Sequence, residues 1–137
     1  MKEQFDFPAF TGYRIEDNIV HIAFKKINEL KASDVAEVFE CFEKCGAENG
    51  VYVMITFNGY IPLSDEAMGE AKGNKAQKNV RANAFIVKSF ALRIGIKFFM
   101  NFYKPKHSIY ICGEKPEALA WLKQERKKNM KKEAVLV

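Results

Sequence analysis

The sequence has little of what marks a secreted, membrane-spanning or metal-binding protein. Its 137 residues hold only three cysteines, Cys41, Cys45 and Cys112, an odd number without CxxC spacing. Two of them sit four residues apart on what reads as one helix, a poor geometry for a bridge, so reduced thiols packed as small hydrophobes are expected rather than a disulfide framework or a metal site. There are two histidines, His21 and His107. Neither has metal-ligand spacing, and no serine or cysteine motif or acid is placed to orient them, so no catalytic triad can be argued. Gly69 and Gly73 make neither a GxGxxG nor a P-loop pattern. The longest run of apolar or β-prone residues, Val51 to Phe57, is far short of the roughly 20 residues a membrane span needs. Residues 1–10 carry Glu3 and Asp6 where a signal peptide would be apolar. These absences lead to the expectation of a cytoplasmic, non-enzymatic protein with no metal and no cofactor.

What is present suits one domain of ordinary size, 48% hydrophobic and 28% charged. The net charge of +5 conceals an asymmetry. Residues 1–70 hold 6 Lys+Arg against 13 Asp+Glu, a net of −7, whereas residues 71–137 hold 16 against 4, a net of +12. Either the two blocks interleave in space and cancel, or the molecule is electrically two-faced and able to steer an anionic partner or a second copy of itself.

Along the chain, strand and helix signals alternate. Tyr13 to Glu16 and Ile19 to Phe24 flank Asp17-Asn18, a pair suited to a hairpin turn. Ser33 is the expected N-cap of a helix with Val35, Val38, Phe39, Phe42 and Cys45 on its packing face and acids elsewhere, ending at Gly46 or Gly50. Val51 to Phe57 reads as a central strand buried on both faces. After the Asn58-Gly59 turn signal, Ser64 caps a short polar helix. A strand over residues 81–87 follows, then a helix from Ser89 to Tyr103 that stops before Pro105. A last strand over Ser108 to Cys112 leads to a helix begun by Pro116, packing through Ala118, Leu119 and Leu122. The predicted order is ββαβαβαβα, a mixed, mostly parallel sheet with helices packed on it, in one domain over 1–123 with an aromatic arm at 1–12 and a basic extension at 124–137 that frays.

The runs Arg81 to Arg93, Asn101 to Pro105 and Pro116 to Lys123 resemble small bacterial proteins related to STAS, or SpoIIAA-like, domains, over about residues 11–123. The resemblance implies a non-enzymatic regulatory domain, of the kind best known as an antagonist of anti-sigma factors, in which a serine at the start of the helix after the central strand accepts phosphate. Ser64 occupies that place. The family's strand-end aspartate is Asn58 here, and the acceptor motif is replaced by Pro62-Leu63-Ser64-Asp65-Glu66, whose acids would repel a phosphate; Ser64 is therefore read first as a helix cap and second as a phosphoacceptor.

A ligand would be sought outside the carboxyl ends of the parallel strands, at Asn58, Gly59, Tyr60, Lys88, Ser89 and Gly113, with Lys88 and Ser89 able to hold a carboxylate or phosphate, or else merely solvated and capping. The Ser89 to Tyr103 helix carries apolar residues over an arc of about 200°, wider than one sheet contact uses. Phe98, Phe99 and Phe102 on it are candidate interface residues. The cover would be the Phe5, Phe7 and Phe10 arm, the Ala134 to Val137 tail, a second subunit or lipid. The functional expectation is a regulatory or protein-interaction domain acting on a protein partner or itself as a homodimer. The alternative is a membrane-surface or anionic-lipid or small-ligand binder; nucleic acid ranks third and an enzyme fourth.

Overall fold

A computed structural model of the chain describes residues 3–47, 49–59, 61–73, 78–103 and 107–136, with the side chains at 72, 99, 101–103 and 132–136 outside the description. The elements run β1 (Glu3–Asp6), β2 (Phe10–Glu16), β3 (Ile19–Phe24), α1 (Ala32–Lys44), β4 (Val51–Thr56), α2 (Asp65–Lys72), β5 (Val80–Ile86), α3 (Phe90–Tyr103), β6 (Ser108–Cys112) and α4 (Lys115–Leu136). All six strands form one sheet in chain order, β1-β2-β3-β4-β5-β6. β1, β2 and β3 pair antiparallel; β3 to β6 run parallel. The mixed α/β sheet expected from the sequence is therefore present, with one strand more.

The extra strand replaces the expected aromatic arm. Glu-Gln-Phe-Asp has no apolar alternation to announce it, and its charges are satisfied sideways. Glu3 pairs with Arg14 at 2.9 Å and Asp6 with Lys25 at 2.8 Å, with the Thr11 hydroxyl donating to Asp6 at 3.1 Å. Phe7 and Phe10 stack at 4.7 Å and are buried with the α1 residues Val35, Phe39 and Phe42, so they do not serve as the cover for the Ser89 to Tyr103 helix. The turn between β2 and β3 places Asp17 at φ 26°, as the Asp-Asn pair led one to expect.

Crossovers between parallel strands are right-handed, and each successive strand is added on the same side of the last, so α1, α2 and α3 lie on one face of the sheet. α4 has the other face, where Ala118 and Leu122 pack on Ile19, Tyr52, Met54, Ala82 and Ala84. β4, central and buried on both faces over its first four residues, separates the two cores. α1 starts one turn-fraction earlier than the Ser33 cap implies: Lys31 is the cap position, and the Asp34 carboxylate accepts the Lys31 N–H at 2.8 Å, which makes a serine hydroxyl there unnecessary.

α4 continues through the segment expected to fray. Residues 123–133 are almost all good helix formers without glycine or proline, and Arg126 ties them to the β2–β3 hairpin by donating to Glu16 at 2.5 Å and to Asn18 at 3.5 Å. Asn129 donates to the Tyr52 hydroxyl at 2.8 Å. The Arg126 guanidinium holds the Glu16 carboxyl below its ordinary range.

The charge blocks separate. α1 and α2 carry acids at Asp34, Glu37, Glu40, Glu43, Asp65, Glu66 and Glu70 on one face, and α4 carries Lys123, Arg126, Lys127, Lys128 and Lys131 on the other. α3, with Arg93, Lys97 and no acid, is the basic exception on the α1 side.

At Gly12 the sheet meets α1 so closely that an added Cβ would overlap the Cys41 sulfur. Cys41 is fully buried, and its contact with Cys45, reinforced by burial, pushes its thiol above the ordinary value. Gly12→Ala should cost about 1–3 kcal/mol by overpacking, and Cys41→Ala in the same chain should recover part of that loss, as a double-mutant cycle in denaturant will read.

Candidate functional site

Three phenylalanines at the ends of neighbouring strands make the floor of the site. Phe24 closes β3, Phe57 follows β4 and Phe85 lies in β5; their rings stack at 5.8 Å and 15°, then 6.1 Å and 6°. All three are half-buried. On a sheet face overlaid by helices such a row would be fully covered. Here it underlies an open apolar cavity of about 1400 Å³ between α1 and α2 on one side and α3 on the other.

The walls follow from local chemistry. The two crossovers that flank β4 are locked together where Leu30 donates to the Pro62 carbonyl at 2.8 Å and Ser64 donates to the Leu30 carbonyl at 3.0 Å. This fixes α1 and α2 side by side and turns Val35, Val38 and Met68 to the cavity. The opposite wall is Leu92, Ile96 and Met100 of α3. The start of α3 is held by two devices. The Ser89 hydroxyl accepts the Leu92 N–H at 3.3 Å, and the Arg93 guanidinium donates twice to the Val87 carbonyl, at 3.0 and 3.3 Å. None of its described side chains is fully buried; Phe90 is 77% exposed and Ile94 52%.

Of the residues proposed from sequence, the fold brings Gly59, Lys88, Ser89 and Gly113 to the rim of this cavity. Asn58 is exposed and does not line it; Tyr60 lies outside the described residues. Phe98 lines the cavity while remaining 64% exposed, and the side chains of Phe99 and Phe102 fall outside the description. Ser64 stands away from the rim as the cap of α2, its hydroxyl accepting the Ala67 N–H at 3.0 Å. Cys41, Cys45 and Cys112 are buried free thiols, and no metal-holding group of side chains occurs among the described residues.

Sequence reading missed the floor and the two polar atoms set beside it. Asn83 Oδ1 and His107 Nδ1 line the same cavity, each buried without a hydrogen-bond partner. A buried polar atom left unpaired costs about 1–3 kcal/mol, so these two atoms are the polar groups a guest could satisfy. The only available signal was the polar Asn83 amid the apolar strand Val80–Ile86, where it shares the cavity side with Phe85. Burial also holds the His107 imidazole below its ordinary value of 6.5.

Comparison with known proteins agrees with this architecture. A crystal structure of an uncharacterised DUF3478-family protein from Shewanella loihica PV-4, described as having a SpoIIAA-like fold, matches with a TM-score of 0.55 over 89% of this chain and 95% of that one, at 19% identity. The chain thus has the SpoIIAA-like fold. It belongs to the family described as "Domain of unknown function (DUF7793)", whose profile matches residues 13–126. No curated protein matches the sequence.

Two outcomes follow. Because the folded state takes up the His107 proton less readily than the unfolded chain, its contribution to stability is complete above pH 6.5 and declines as the pH falls below that value. Denaturant titrations of wild type and His107→Gln across this range should show a smaller loss in the variant. At α2, Ser64→Ala should lose about 1 kcal/mol and Ser64→Asp should lose little, since aspartate also caps.

Proposed function

We propose that this chain is a non-enzymatic binding domain with a regulatory or protein-interaction role, whose ligand is a long-chain anionic amphiphile held under α3. The observation that carries the reading is the half-buried Phe24, Phe57 and Phe85 floor beneath about 1400 Å³ of apolar space. Such a volume exceeds the roughly 300–1,000 Å³ of most small-ligand sites, and apolar lining with a few polar groups is their usual composition. A hydrocarbon chain laid on the phenyl row would bury it. Lys88 and the capped start of α3 at the rim supply a cation and a helix N-terminus for the anionic head.

A regulatory role follows from what the guest would touch. The ligand contacts α3, none of whose described side chains is fully buried, and α3 carries exposed Phe90 and Ile94 on its surface. Filling the cavity would change how firmly α3 is seated and so what that surface offers a partner. A membrane surface is the second reading, favoured by Phe90 and Ile94 exposed beside Lys97.

The test is titration of the delipidated chain with a fluorescent fatty acid, followed by native mass spectrometry. Saturable one-to-one uptake is expected, weakened about tenfold or more in Lys88→Glu, which sits at the exposed rim and leaves the fold intact. Absence of uptake by wild type overturns the amphiphile reading and leaves protein contact through Phe90 and Ile94. Sedimentation with anionic vesicles, lost in Phe90→Ser, would identify the membrane reading.

A further inference from the structure

The two edges of the sheet are built differently. β1 carries Glu3 and Asp6, engaged in ion pairs with Arg14 of β2 and with Lys25 just after β3, which is a common way to blunt an edge. β6, Ser-Ile-Tyr-Ile-Cys, has no charge, proline, glycine or register shift. An uncharged, regular edge strand is a template for another strand.

The backbone pattern defines which groups are available. Val87 donates its N–H to the Cys112 carbonyl at 2.8 Å, so Cys112 turns its backbone groups toward β5. In a parallel pair this alternates, so Tyr110 and Ser108 also face β5, while the N–H and C=O of Ile109 and Ile111 point away from the sheet. Among the described residues no hydrogen bond closes these four groups.

From this we infer that β6 is a self-pairing edge whose partner is the β6 strand of a second copy of this chain, antiparallel, with the twofold axis at Tyr110. That register places Ile109 opposite Ile111 of the second copy as the residues that exchange both backbone hydrogen bonds, and Tyr110 opposite its own equivalent as the close, non-bonded pair. Every one of the four outward groups is then used. The side chains agree: isoleucine meets isoleucine on the α3 face, and on the α4 face tyrosine meets tyrosine. Tyr110 is already fixed for this role, stacked on Trp121 at 5.2 Å with its hydroxyl donating to Glu117 at 2.7 Å. With no charge in the strand, pairing it with itself brings no like charges together. A twofold contact of this kind closes on itself. Ile109 also lines the cavity, but the inference rests on the edge-facing backbone groups of β6 and requires no guest there.

Sedimentation equilibrium of the full chain over micromolar to submillimolar concentration should show a reversible monomer–dimer equilibrium. Ile111→Pro removes an outward N–H but no bond to β5, so it should lose the dimer while keeping the wild-type circular dichroism. Ile111→Lys should also lose it and decides the matter if the proline variant misfolds. Ile94→Lys on the exposed face of α3 should still dimerise. In wild type, hydrogen exchange at the Ile109 and Ile111 amides should slow in proportion to the dimer fraction, with Tyr110 and Cys112 unchanged. A wild type that stays monomeric throughout, or a dimer lost in Ile94→Lys yet retained in both Ile111 variants, overturns the inference.

Discussion

The handedness of the β-α-β crossover governs this molecule. After the antiparallel opening, β4, β5 and β6 are added one after another in a single direction, and a right-handed connection then has only one face on which to place its helix. Of the helices described, three lie on that face and one has the other. α1 and α2 are neighbours and are clamped through Leu30 and Ser64, so they settle on the β2–β4 region and bury Val35, Phe39 and Phe42. α3 comes last and is anchored at its start by Ser89 and Arg93, at the end of β5. The phenyl floor lies where the clamped pair ends and the loosely held helix begins.

The energetic balance of α3 is accordingly narrow. Covering a phenylalanine side chain is worth about 1.5–3 kcal/mol, and Phe90 and Phe98 forgo most of that. Two hydrogen bonds from one guanidinium to a single carbonyl and one serine cap hold the first turn in place. A helix seated this way opens at lower cost than the sheet beneath it, since local stability follows local burial. That difference makes the α3 side suited to admitting a guest while α4 keeps the opposite core closed.

The sequence made the sheet legible because its central strands are extreme in composition. Val51 to Phe57 reads as a doubly buried strand, which it is over Val51 to Met54, and Ser108 to Cys112 lies between Pro105 and Gly113. β1 was not legible, since its charged residues are stabilised by Arg14 of β2 and by Lys25 just after β3, partners that no local pattern reveals. The continuation of α4 was hidden for a similar reason: a polar run looks frayed until Arg126 is seen to meet Glu16. The excess apolar arc of the Ser89 to Tyr103 helix was visible from periodicity alone, whereas the cavity beneath it depends on how three strand-end phenylalanines align, a matter of register. Lys88, Ser89, Gly59 and Gly113 could be placed near one another from sequence because strand ends in parallel sheets converge by topology. Asn83 and His107 were not, because an unpaired buried atom exists only in three dimensions.

Acidic α1 and α2 lie on one side of the sheet and basic α4 on the other, with basic α3 as a partial offset beside the acids. The acids of α1 and α2 and the bases of α4 are held apart by the thickness of the sheet, giving a dipole moment along the sheet normal that the net charge of +5 does not express. Such a molecule does not tumble indifferently near a charged boundary. At low ionic strength the expected approach to a polyanion is with α4 leading.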